Sequence, residues 1–87
     1  MTMTDPITLA NDVERMSDRL DTLEAEGRAE EPAYEDLWQA RDEAIQAIAD
    51  RHAPEAARRV LRRMGAHLEP AELGQFYPVV FKQALGA

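Results

Sequence analysis

Four arginines, Arg58, Arg59, Arg62 and Arg63, form two adjacent pairs one helical turn apart. A guanidinium is always charged and presents its donors as a planar fork, so such a stripe suits phosphates or carboxylates. The carboxylates can belong to a partner or to the chain's own acidic half. The rest of the reactive inventory is sparse. Ser17 is the only serine, and it falls within a helical pattern with no histidine at helical spacing, so a hydroxyl nucleophile beside its base is not expected. His52 and His67 stand at opposite ends of one predicted helix and cannot form the i, i+4 pair of a zinc-binding helix. Both are expected to be structural or solvent-exposed, and His52, near a helix C-terminus, is well placed against the helix dipole. Cysteine is absent, which removes thiol chemistry, disulfides and cysteine metal sites. Gly27, Gly65, Gly74 and Gly86 are isolated from one another, so no phosphate-cradling loop is present. The carboxylates are spread along helix exteriors, as capping and solvation require, rather than paired for acid–base work. No catalytic, cofactor-binding or metal-binding residue is expected, and the chain reads as a non-enzyme.

Two candidate partner-binding features remain: the arginine stripe and the aromatic segment containing Phe76, Tyr77 and Phe81. That segment holds three of the five aromatic residues of the chain. It either closes the core or leaves a partly exposed apolar patch, the kind of surface that marks a partner site. Charge adds a third feature. The net charge is −7, but residues 1–50 carry −10 and residues 51–87 carry +3. An acidic half followed by a basic helix is expected to attract itself within one fold. A row of carboxylates on the acidic half could also occupy a basic groove and so imitate a nucleic-acid backbone.

These features must be positioned by helices. Leu9, Val13, Met16, Leu20 and Leu23 recur at spacings of four, three, four and three, the rhythm of a helix with a narrow apolar seam. Asn11, Asp12, Glu14, Arg15, Ser17, Asp18, Arg19, Asp21 and Thr22, which lie between them, are polar, so the seam has to be covered by other elements or by a second copy. Pro6, Pro32, Pro54 and Pro70 each precede a helix-like stretch, where the missing N–H costs nothing. The first helix spans about residues 5–26, capped by Thr4 or Asp5 and ended by Gly27. A turn over residues 27–31 leads to a second helix from Pro32 to Arg51 or His52, antiparallel to the first. This register sets Leu20 beside Trp38, which is expected to pack there as a buried aromatic, and Val13 beside Ile45. Arg41, four residues before Ile45 on the same stripe, needs a partner, and Glu14 or Asp18 across the hairpin is expected to supply it. A third helix covers residues 54–66, with Val60, Leu61 and Met64 on its apolar face. From Pro70 a fourth segment is kinked by Pro78 or split into helices over 70–76 and 78–85.

The expected architecture is therefore all-α: a long antiparallel helical hairpin with two shorter helices packed on it, a small helical bundle in a single domain of 87 residues. No signal peptide and no membrane span are apparent, and a reducing, cytoplasmic setting fits the lack of cysteine. The expected function is that of a small acidic adaptor, regulator or inhibitor acting by protein–protein binding. A homodimer is expected, because the hairpin is longer than the remaining helices can cover. The alternatives are a nucleic-acid-associated regulator using the arginine stripe and an acidic inhibitor that imitates nucleic acid.

Overall fold

A computed structural model of the chain describes residues 5–66 and 68–86. Five helices follow in order: α1 (Pro6–Ala25), α2 (Pro32–Asp50), α3 (Pro54–Met64), α4 (Pro70–Phe76) and α5 (Pro78–Gly86). Each starts at a proline, whose ring presets the helical φ and whose missing donor has no intrahelical partner at that position. The architecture is a small all-α bundle built on the α1–α2 hairpin.

The helix ends follow local chemistry. Asp5 caps α1 by accepting the Ile7 N–H at 2.7 Å; Thr4, the other candidate cap, lies outside the described residues. At the far end Gly27 adopts φ 71°. Its N–H donates to Glu24 O at 3.1 Å, and that of Arg28 donates to Leu23 O at 2.8 Å. These two bonds satisfy carbonyls that the last turn leaves open. Arg28 then bridges the turn, donating to Glu31 through Nε at 2.7 Å and to Glu26 through Nη1 at 3.1 Å. This contact holds the Glu31 carboxyl below its ordinary range. Beyond α2, His52 takes the left-handed conformation at φ 52° without being glycine. Tyr77 leaves helical geometry at φ −131° and ψ 61° ahead of Pro78, so the split into two helices is realised.

Packing departs from the expected seam in one respect. The buried residues of α1 are Ala10, Val13, Ser17, Leu20 and Leu23, while Leu9 and Met16 sit half-buried at the edge. The seam is thus rotated by about one residue over its first half. The reason lies in α3, which packs on α1 and whose Ala56, Ala57 and Val60 are all at 0% exposure. Small residues on both helices allow close approach, and the longer Leu9 and Met16 serve as flanks. α5 packs on α3 and α2, whereas α4 rests on α5 and leaves the adjoining end of the hairpin open.

Two expectations about α2 are corrected here. Trp38 is not sealed against Leu20: the indole is 41% exposed while Leu20 is 2% exposed. The register itself is consistent with the hydrogen bonds that join Tyr34 to Glu24 and Arg41 to Ser17. What is missing is a third helix over this end of the hairpin. Arg41 is buried, at 8% exposure, but it pairs with neither Glu14 nor Asp18. Those two carboxylates belong instead to the arginines of α3.

Candidate functional site

The arginine stripe divides into two pairs with different fates. A step of one residue turns a helix by about 100°, so Arg59 and Arg63 face α1 while Arg58 and Arg62 point outward. Arg59 Nη2 donates to Asn11 Oδ1 at 2.6 Å and lies 3.3 Å from Glu14 Oε1. Arg63 Nη2 lies 2.9 Å from Asp18 Oδ1 and 2.6 Å from Asp21 Oδ2. The hydrogen bond to Asp21, ahead of that to Asp18, pushes the Arg63 guanidinium above its ordinary range. Half of the stripe therefore clips the basic helix to the acidic one. Arg58 reaches Ala84 O at 3.5 Å, and both Arg58 and Arg62 are exposed.

The aromatic segment also divides. Phe81 is half-buried and lies over the open face of Gly74, where an added Cβ would meet its ring at 3.5 Å. Tyr77 is half-buried, and Phe76 is 59% exposed. Phe76 and Tyr77 help line a cavity of about 460 Å³ between the open end of the hairpin, the end of α3 and α4. The opposite wall carries Leu20, Tyr34, Trp38 and Arg41, and Met64 and Leu68 complete the apolar lining.

Burial and hydrogen bonding set the electrostatics of this cavity. Tyr77 Oη donates to Asp42 Oδ1 at 2.9 Å. Burial first, and then the bond to this carboxylate, pushes the phenol up to about 12. Tyr34 Oη donates to Glu24, and that bond raises its pKa as well. Arg41 lies deepest. Its Nη1 donates to Ser17 Oγ at 3.2 Å, and its guanidinium carbon lies 4.8 Å from the centroid of the Trp38 ring. Its Nε is buried without an acceptor. Among the described residues no carboxylate lies within ion-pairing distance of Arg41.

Of the residues that carry this cavity, Arg41 had a signal in the sequence: a permanent charge on an apolar stripe. Ser17 had none, because a serine followed by Asp18 and Arg19 on a largely polar helix reads as solvated. His52 follows Arg51, the C-cap of α2, with its Nδ1 3.4 Å from Gln83 Nε2, and His67 lies outside the described residues. Among the described residues, no group of three or more histidine, aspartate or glutamate side chains is placed to hold a metal ion. No helix is long and apolar enough to cross a membrane. No family model, curated protein or solved structure matches the chain.

Proposed function

We propose that this chain is a non-enzymatic interaction protein, an adaptor, regulator or inhibitor, that binds a basic protein surface through the aromatic rim of its cavity. The observation that carries this reading is the exposure of Trp38 and Phe76, at 41% and 59%, in the lining of one cavity. Tryptophan, tyrosine and arginine are the residues that most often dominate binding energy, and aromatics inserted into pockets act as anchors. The charge of −10 on residues 1–50 favours a partner of opposite sign, and complementary charge speeds association. A homodimer in a cytoplasmic setting completes the proposal; the length of the α1–α2 hairpin relative to α3, α4 and α5 supports it.

The pairing of Arg59 and Arg63 with α1 favours this reading over a nucleic-acid contact through the stripe, because only Arg58 and Arg62 remain turned outward. The test is mass spectrometry of the protein and nucleic acid that co-purify with the native chain, repeated for Phe76→Asp. A basic protein retained by the native chain and lost by the variant is expected. Nucleic acid lost on replacing Arg58 and Arg62 would promote the nucleic-acid reading. Light scattering is expected to give a dimer mass at micromolar concentration, and a monomer mass would remove that part of the proposal.

A further inference from the structure

We propose that the cavity between the hairpin and α4 is a binding site for a small apolar monocarboxylate, with Arg41 as its anchor. The cavity volume, about 460 Å³, is within the range of small-molecule sites. Its lining combines an apolar part, Leu20, Trp38, Met64, Leu68 and Phe76, with tyrosine hydroxyls and charged groups. What sets the ligand class is the charge at the bottom. Every other charged side chain in the lining is engaged. Glu24 accepts from Tyr34, Asp42 accepts from Tyr77, and Arg63 pairs with Asp21. Arg41 alone is 92% buried; it donates to the neutral Ser17 hydroxyl, lies against the Trp38 ring and sits beside the Tyr77 phenol, and its Nε–H lacks an acceptor. A buried guanidinium without a counter-charge is costly, and a carboxylate supplies both the charge and a matching pair of acceptors. The same surroundings select against a dianion. Asp21, Glu24 and Asp42 line the cavity, so a second negative charge on the ligand would meet three carboxylates. The body of the ligand would replace water against Leu20, Met64, Leu68 and the Trp38 ring.

The inference goes beyond the protein-binding reading and does not require a protein partner. Trp38 is the only tryptophan, so its fluorescence reports on this cavity alone. The unmodified chain is titrated with 4-phenylbutyrate and with its primary amide, followed by Trp38 fluorescence and calorimetry. The acid is expected to bind saturably at submillimolar concentration, at least about tenfold tighter than the amide, as one charge-assisted contact provides. In Arg41→Met, checked for folding by circular dichroism, acid and amide are expected to bind alike. Equal binding of acid and amide to the unmodified chain would overturn the proposal, and this comparison stands even if the variant does not fold. No saturable binding of the acid, or an acid preference that survives Arg41→Met, would overturn it too.

Discussion

Arg41 illustrates how one residue acquires its setting from residues far along the chain. Ser17, 24 positions away, is its hydrogen-bond acceptor, and Trp38 one turn before it offers the ring face. Because Trp38 is 41% exposed, truncating it to alanine is expected to cost about 1–2 kcal/mol. A fully buried large aromatic would cost about 3–5 kcal/mol. Urea denaturation distinguishes the two, and a loss in the higher range would show that the indole is covered. Tyr77 supplies a pH dependence. Its phenol is pushed up to about 12 when folded, against about 10 in an unfolded chain. Between these values the folded chain holds a proton that the unfolded chain has lost. The stabilisation is therefore complete below pH 10 and declines as the pH rises towards 12. Tyr77→Phe is expected to flatten that alkaline decline, measured as melting temperature against pH; an unchanged decline would assign it to another group. His52, at φ 52°, sits where a side chain is strained. His52→Gly is expected to raise stability by up to about 1 kcal/mol, and His52→Val to lower it, as read by thermal melting.

Among the elements, α3 carries the strongest contrast between its faces. Its alanines and Val60 are fully buried, and Arg59 and Arg63 join it to α1 as ion pairs at the margin. Arg62 differs from Arg63 by one position and faces solvent. Arg63→Ala is expected to cost about 1–2 kcal/mol, since two carboxylates lose a partly buried cation and the stem loses its packing. Arg62→Ala is expected to stay within about 0.5 kcal/mol, the range of surface changes. Denaturant unfolding of the two single variants checks this, and equal losses would mean that α3 is rotated relative to α1. α4 is held differently. It rests on α5, reinforced at its start by the Glu69–Glu72 capping box, in which Glu69 N–H donates to Glu72 Oε1 at 3.1 Å. An element attached along one side can wall a cavity without filling it.

At the scale of the molecule the bundle measures 38 × 37 × 15 Å between its outermost Cα atoms. Helices pack about 8–10 Å apart, so the short dimension holds two layers and no more. A core this thin leaves part of its apolar side chains at the rims. Trp38, Phe76, Val79 and Leu85 all remain exposed. The charge separation runs across the same layers, with the acidic α1 facing the basic α3.

The sequence by itself determined the helices and the hairpin. Proline at five helix starts, Asp5 at a cap and Gly27 at a stop act within a few residues, and local backbone chemistry does not depend on what lies across the core. The split at Pro78 was legible for the same reason. The need of Arg41 for a partner was also legible, since a permanent charge on an apolar stripe must be answered somewhere. Which partner it has was decided by tertiary structure: α3 took Glu14 and Asp18 through Arg59 and Arg63, and Ser17 was left. The rotation of the α1 seam onto Ala10 and Ser17 was decided in the same way, because close helix approach selects small residues that a hydrophobic pattern passes over. The cavity depended on tertiary structure most of all. It exists because α4 packs on α5 and leaves Trp38 uncovered, a matter of how helices divide a limited core rather than of any spacing along the chain.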